Sequence, residues 1–257
     1  MIVKMEMPKL VKIKKITEEN AKVKTFLLDV KIDAKPGQFL MVWIKDVDEK
    51  PFSLSGENAI TVEKKGEFTE AMFKLREGDE VGVRGPYGNG FSLKKDACVV
   101  AGGLGLAPLK PVIEDLKNPT VICGAKTEKD FIFKGMFDAK MCTDDGSAGH
   151  KGFTTDLLKD MLKEKKFSVV YACGPEIMLK KVFEICEENN VECEISLERF
   201  FKCGIGICGQ CCIDDQMVCK DGPVFNSEQL RKLSELGKFA RLKTGKMVKL
   251  EEYFNQG

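Results

Sequence analysis

Four cysteines near the C-terminus have the spacing of ligands to an iron–sulfur cluster. Four residues separate Cys203 from Cys208, two separate Cys208 from Cys211, and seven separate Cys211 from Cys219. C-x4-C-x2-C followed by a fourth cysteine is the plant-type spacing for a [2Fe–2S] cluster. The sequence therefore predicts one-electron chemistry, with these four cysteines as the metal ligands.

The loop between the cysteines favours the same chemistry. Gly204 and Gly206 let the backbone fold closely around a cluster, with φ values that other residues resist. Backbone N–H groups in such a loop can point to the sulfurs and raise the reduction potential. The spacing selects Cys211 as the ligand, and we expect the adjacent Cys212 to be a bystander.

Two other uses of the cysteines must be weighed. A tetrathiolate zinc site would make the chain a zinc-stabilised, non-enzymatic binding module, but zinc sites usually pair one CxxC with a second. Disulfides are disfavoured, because the chain has eleven cysteines and an N-terminus without the apolar stretch of a signal peptide. Free cysteines are typical of a reducing compartment, so we expect a cytoplasmic protein.

Composition excludes several classes of protein. The 257 residues are enough for two ordinary domains and a small module. With 41 basic and 40 acidic residues, the chain lacks the basic excess of a nucleic-acid binder. It has no apolar run of about 18 residues, so we expect no membrane partner. A single histidine, His150, excludes Rieske-type ligation, which needs two.

Hydrophobic periodicity divides the rest of the chain into two parts. Residues 1–94 alternate between apolar and polar, which predicts a barrel or sandwich of short strands. From 95 to 196, buried strands alternate with helical segments, which predicts a parallel sheet. The predicted strands are 11–16, 23–28, 39–44, 59–63, 70–74, 80–84, 97–101, 120–124, 129–134, 139–143, 168–173 and 191–195. The predicted helices are 109–116, 153–163 and 176–189, and Asn226 or Ser227 is the candidate N-cap of a helical tail.

Three loops at strand ends indicate a nucleotide site. Gly102-Gly103-Leu104-Gly105 follows a buried strand and precedes a helix, where glycines allow close approach to a phosphate. This is not the standard GxGxxG, and an ordinary turn stays open as an alternative. The loops 143–147 and 173–175 follow two more strands. Ligands gather at the carboxyl ends of parallel strands, so the three together favour a site.

The motif Lys50-Pro51-Phe52-Ser53-Leu54-Ser55 combines a cation, a rigid turn, an aromatic ring and hydroxyl groups. Such a set could hold the diphosphate and the ring of a flavin. The alternative is an ordinary strand entry with a proline turn.

In chain order the motifs are KPFSLS, RGPYGNGF, AGGLGLAPL, TDDGS, YACGP and CGIGICGQC followed by CKDGPVF. This order resembles the ferredoxin–NADP reductase superfamily and, within it, the electron-transfer subunits of NAD-dependent (class 1B) dihydroorotate dehydrogenases. The resemblance covers nearly the whole chain. It implies a multidomain fold with a Greek-key antiparallel β-barrel for FAD (1–94), an α/β parallel-sheet domain for NAD (95–196) and a small [2Fe–2S] module (197–257).

The resemblance also implies the residues that bind FAD, with Ser53 near the reactive edge of the ring. Lys50 stands where the family usually has arginine, so the bidentate fork is lost. Phe68 stands where family members often have glycine. The implied FAD contacts are Lys50, Pro51, Phe52, Ser53, Thr61, Val62, Glu63, Phe68 and Thr69.

For the nicotinamide cofactor, the resemblance implies that Cys173 lies near the nicotinamide ring as a catalytic residue. A small buried residue that ends a strand is the alternative role. NADP stays open beside NAD, because Lys126 could reach a 2′-phosphate. The implied contacts are Gly102, Gly103, Gly105, Ala107, Pro108 and Gly174.

The function implied by the resemblance is an electron conduit in pyrimidine biosynthesis. A partner subunit carrying FMN would oxidise dihydroorotate, and single electrons would cross the cluster to FAD and then reach NAD+. The expected assembly is a heterotetramer of two such chains and two catalytic subunits, with the cluster module at the interface. The alternative partner is an NAD(P)H-dependent ferredoxin or sulfide oxidoreductase, or a hydrogenase complex.

Overall fold

The N-terminal part of the chain is a closed antiparallel barrel. The computed structural model describes residues 7–255, with side chains as far as Tyr253. The barrel strands are β1 (Lys9–Asn20), β2 (Val23–Leu28), β3 (Phe39–Ile44), β4 (Asp48–Gly56), β5 (Ala59–Glu63) and β6 (Glu80–Tyr87). They pair in the order β1-β2-β5-β4-β3-β6, with helix α1 (Glu67–Lys74) between β5 and β6.

Helix α1 replaces the strand predicted at 70–74, so that prediction is wrong. Phe68 and Met72 are both buried against the barrel core, and their spacing of four residues puts them on one face of a helix. In a short segment with few apolar residues, hydrophobic periodicity cannot distinguish a strand from a helix. The packing of this one face against the barrel decides the structure.

The middle of the chain forms a seven-stranded sheet in the order β10-β9-β8-β7-β11-β12-β15. Its first six strands are parallel, and the last pairs antiparallel with β12. The strands are β7 (Ala97–Gly102), β8 (Thr120–Ala125), β9 (Ala139–Thr143), β10 (His150–Lys151), β11 (Val169–Cys173), β12 (Glu192–Ser196) and β15 (Val224–Asn226). The accompanying helices are α2 (Leu106–Asp115), α3 (Thr154–Glu164) and α4 (Glu176–Glu188). The predicted fold class is confirmed.

The strand predicted at 129–134 is also wrong. A 3-10 turn covers Glu128–Asp130, and the chain then passes through Phe131 to Phe133, whose side chains are buried. Phe133 has φ +54°, which is outside the range of a strand. The apolar run is therefore a buried loop, which fills core space beside the sheet without joining it.

The C-terminal part packs on both of the preceding units. Its elements are the hairpin β13 (Cys212–Ile213) and β14 (Gln216–Met217), α5 (Val218–Asp221), α6 (Ser227–Leu230), the pair β16 (Phe239–Arg241) and β17 (Met247–Lys249), and α7 (Leu250–Asn255). The N-cap prediction is confirmed for Asn226, whose side chain accepts a hydrogen bond from Gln229 N at 3.0 Å. Within residues 7–255, no helix combines the length and apolarity needed to cross a membrane.

Candidate functional site

The four predicted cluster ligands form two pairs. The thiol of Cys203 contacts that of Cys208, and the thiol of Cys211 contacts that of Cys219. Cys208 is exposed, whereas Cys211 and Cys219 are buried. In the part of the chain that the structure describes, no three His, Cys, Asp or Glu side chains converge on the position of one metal ion. Two pairs of thiols fit a two-iron cluster, in which two protein ligands bind each iron.

The backbone of the cysteine loop donates hydrogen bonds to these sulfurs. Gly204 and Gly206 adopt φ +72° and +74°, as the sequence predicts. Gly206 N–H donates to Cys219 Sγ at 3.2 Å, and Ile207 N–H donates to Cys203 Sγ at 3.4 Å. These donors stabilise thiolates and would also stabilise sulfur ligands of a bound cluster.

The pKa values of three cysteines follow from this environment. Burial alone would raise the pKa of Cys203, but the N–H groups of Ile205, Cys208 and Ile207 lower it to about 6. The Cys219 thiol lowers the pKa of Cys211 to about 7, and the same contact raises the pKa of Cys219, because the two share a proton. Thiolate is the form that binds metals, so the lowered pKa values favour ligation by Cys203 and Cys211.

Two of the three predicted nucleotide loops meet at the carboxyl ends of the adjacent strands β7 and β11, and the third, 143–147, follows β9 farther along the sheet. A Cβ at Gly105 would lie 2.2 Å from Cys173 O and 2.7 Å from Gly174 N. A Cβ at Gly174 would lie 3.0 Å from Gly102 Cα. The two loops pack backbone against backbone, as only residues without a Cβ allow, and the phosphate cradle assigned to the Gly102–Gly105 loop stays a prediction.

On the barrel side, strand β4 brings the predicted flavin motif to the edge of the cysteine module. Lys50 forms an ion pair with Asp48, and its ammonium lies 5.6 Å from the centre of the Phe200 ring. Phe52 packs in a stacked arrangement on Phe68 at 5.9 Å between ring centres. The Lys50 cation therefore lies beside the segment that leads into the first cysteine.

Several of the other predicted flavin residues already have partners within the protein. The Thr61 hydroxyl bonds to Ser55 at 2.7 Å, and the Thr69 hydroxyl accepts from Lys65 N at 2.8 Å. Val62 is fully buried in the barrel core, so its backbone is the part that could meet a flavin. The flavin roles of these residues stay predictions.

Glu198 connects the two predicted cofactor sites, and sequence analysis missed it. Its carboxylate interacts electrostatically with Cys173 at the end of β11 and with Glu63 and Lys65 beyond β5. Glu198 is accessible to solvent, yet protein surrounds it closely enough for desolvation to raise its pKa, against the effect of Lys65. Glu198 therefore lies within electrostatic range of both the predicted flavin strand and the predicted nicotinamide loop.

Cys173 itself is almost completely buried at the end of β11. Burial raises the pKa of its thiol, and the charge of Glu198 raises it further. The thiol is therefore protonated at neutral pH, and the side chain of Ser196 forms a hydrogen bond with it. Its predicted catalytic role stays a prediction.

Glu198 and Phe200 could have been found from one sequence signal, their position in the short linker between β12 and Cys203.

Comparisons with known proteins agree with this arrangement. Residues 198–231 match the family model for the iron–sulfur cluster binding domain of dihydroorotate dehydrogenase B. A protein of Methanocaldococcus jannaschii is 49% identical, over 95% of this chain and 99% of its own. A protein of Pyrococcus furiosus is 45% identical, over 93% and 98%. Both are named as the probable electron transfer subunit of dihydroorotate dehydrogenase B (NAD+).

Among solved structures, one described as an NADH-dependent reduced ferredoxin-NADP oxidoreductase has a TM-score of 0.77. It is 28% identical and covers 90% of this chain and 94% of its own. The cytochrome b5 reductase domain of Ulva prolifera nitrate reductase has a TM-score of 0.59 at 17% identity, over 72% and 93%, and shows the fold alone. The identities to the archaeal relatives, which extend over nearly their full lengths, show that the chain belongs to the family of electron transfer subunits of NAD-dependent dihydroorotate dehydrogenase B.

Proposed function

We propose that this chain carries electrons from dihydroorotate oxidation through a [2Fe–2S] cluster and FAD to NAD+. One observation carries the proposal beyond family membership. Within six residues, a single segment places Glu198 within electrostatic range of Cys173, Phe200 beside Lys50, and Cys203 in the cysteine loop. Three residues span at most about 11 Å, so the flavin motif and the first cluster ligand are close neighbours.

The residues of the protein position the cofactors, neutralise their charges and exclude water from them. When bound, the flavin supplies both hydride and one-electron chemistry, and the cluster supplies one-electron transfer. Cys203 and Cys208 would hold one iron, and Cys211 and Cys219 the other. The Gly102–Gly105 loop would hold the dinucleotide phosphate, and Lys50 would neutralise the flavin diphosphate. The protonated Cys173 thiol would border the nicotinamide without giving up a proton.

The domain assignment is part of the proposal. We assign residues 1–94 to FAD, 95–196 to NAD and 197–257 to the cluster. Strand β15 belongs to the third segment but pairs with β12, so the cluster module is fixed directly to the nucleotide-binding sheet. This attachment would keep the cluster at a constant position relative to that sheet.

We propose an FMN-containing catalytic subunit as the partner, in a cytoplasmic assembly of two plus two chains. The surface beside the cluster loop supports the place of docking. Ile207 is 62% exposed in that loop, and it lines a surface cavity together with the exposed Met7. Apolar side chains of this size next to a redox group favour a protein interface.

The test is an anaerobic titration of the purified chain with NADH, with iron, sulfide and flavin quantified. We expect the flavin and iron–sulfur absorption bands to bleach together, and the reconstituted complex to make NADH from dihydroorotate. A colourless protein without flavin or iron would overturn the proposal in favour of a zinc module. Reduction by NADPH in place of NADH would favour a ferredoxin or sulfide oxidoreductase, or a hydrogenase complex, as the partner.

Replacing Gly105 with alanine should weaken NADH binding while leaving FAD and iron content unchanged. The new Cβ would lie 2.2 Å from Cys173 O, which is backbone and cannot rotate away. Forcing an extra carbon into such a contact costs about 1–3 kcal/mol, which corresponds to roughly 5- to 150-fold in affinity if the cradle opens. The measurement is the Kd for NADH from the absorbance titration.

The matched control for this substitution is Gly56→Ala. A Cβ at Gly56 would lie 3.5 Å from that of Ala59, which is an ordinary contact. The control should bind NADH with the affinity of the unmodified chain. Equal affinities for both variants would show that the 102–105 loop does not hold the cofactor.

A further inference from the structure

An ion pair of the barrel reaches the first predicted ligand of the cluster. Arg84 on β6 binds Glu49 on β4 through two hydrogen bonds, Nε to Oε1 and Nη2 to Oε2, both 2.6 Å long. Its Nη2 also donates to the carbonyl oxygen of Cys203 at 2.9 Å. The two side chains are only 13% and 20% exposed, so water screens them weakly.

The surroundings place this pair beside the cluster. Arg84 and Glu49 line a cavity of about 870 Å³ together with Cys203 and Cys219. The Arg84 guanidinium also lies 5.6 Å from the centre of the Tyr87 ring. The bond to Glu49 raises the pKa of Arg84, so the guanidinium keeps its positive charge at any physiological pH.

We propose that Arg84 and Glu49 set the reduction potential of the cluster, with Arg84 as the residue that positions Cys203. The inference rests on the cluster ligands proposed above. Reduction adds one electron to the cluster, and a nearby cation favours the added charge whereas a nearby anion opposes it. Arg84 contacts the ligand residue directly, and Glu49 contacts it through Arg84. The positive charge of Arg84 near the cluster therefore favours reduction, and the negative charge of Glu49, bound to Arg84, partly cancels that effect.

This arrangement predicts shifts of opposite sign when the two charges are removed one at a time. Arg84→Gln leaves the Glu49 carboxylate uncompensated and should make the midpoint potential more negative. Glu49→Gln leaves the Arg84 cation uncompensated and should make the potential more positive. We expect about a tenfold change in the one-electron equilibrium in each case, which is about 59 mV. A purely structural role would not give two shifts of opposite sign.

The experiment is a redox titration of the cofactor-loaded chain, with the reduced cluster followed by electron paramagnetic resonance. Arg84→Lys keeps the charge, so its potential should stay closer to that of the unmodified chain than the potential of Arg84→Gln does. The matched control is Arg231→Gln, because Arg231 makes the same two-point contact with Glu187, at 2.7 and 2.9 Å, on the surface. Its potential should not move.

The possible outcomes separate this inference from the proposed function. An unmodified chain without a [2Fe–2S] signal would remove the cluster and this inference together. An intact signal whose potential is unchanged in Glu49→Gln and Arg84→Gln, or shifts in the same direction in these two charge-removing variants, would overturn this inference alone. If Arg84→Gln loses its iron, a more positive potential in Glu49→Gln still supports the proposal, and an unchanged one still refutes it.

Discussion

Replacing Cys208 with serine is expected to remove the [2Fe–2S] cluster while FAD remains bound. Cys208 is the exposed member of the Cys203–Cys208 pair, and a serine hydroxyl is a far poorer ligand for iron than a cysteine sulfur. The predicted flavin motif lies on strand β4 of the barrel, outside the cysteine loop. The visible spectrum should keep its flavin bands and lose the iron–sulfur bands. Electron delivery between NADH and the catalytic partner should fall to background.

The matched control is Cys212→Ser, at the position next to a predicted ligand. Cys212 is half-buried, and burial raises the pKa of its thiol. The variant should therefore keep its full complement of iron and sulfide, measured in the same preparation. Iron lost from Cys212→Ser and retained in Cys208→Ser would show that the assignment of the ligands is wrong.

The cluster loop could be predicted from sequence because its chemistry is local. All four cysteines lie within seventeen consecutive residues, so their spacing alone restricts how the thiols converge. The Arg84 contact with Cys203 could not be predicted in this way, since it joins positions 119 residues apart. The Arg84–Glu49 pair likewise joins positions 35 residues apart, on two strands that lie on either side of β3, so it depends on the order of the strands in the barrel.

The fold shows the same division between local and non-local information. Strands such as β3 and β7 are continuous apolar runs of six residues, and the sequence predicts both of them. Helix α1 and the Phe131–Phe133 loop are buried only because other elements supply a surface for their few apolar side chains. Their conformations depend on that packing, which local periodicity does not report, and periodicity alone therefore predicts strands at both places.

Replacing Arg199 with methionine should strongly destabilise the chain. Arg199 and Glu176 are 2% and 5% exposed and form a two-point ion pair, with Nη2 to Oε1 at 2.8 Å. Glu176 also accepts from Gly237 N at 2.8 Å, and Arg199 donates to Glu198 O at 2.9 Å. The pair thus joins the start of α4, the segment before the cysteines and the C-terminal tail. Removing one partner leaves a buried charge uncompensated, which costs about 3–5 kcal/mol.

A double variant tests whether the unpaired buried charge is the cause of this destabilisation. Combining Arg199→Met with Glu176→Leu removes both charges, so the double variant should be more stable than Arg199→Met alone, because no unpaired charge remains. Chemical denaturation of the cofactor-loaded chain would measure the free energy of unfolding of the two single variants and the double variant. The control is the exposed Arg231→Met, which should have the same free energy of unfolding as the unmodified chain. If the two single effects simply add, the pair is not a coupled unit. If they do not, the ion pair is a coupled unit that stabilises the junction of α4, the segment before the cysteines and the C-terminal tail.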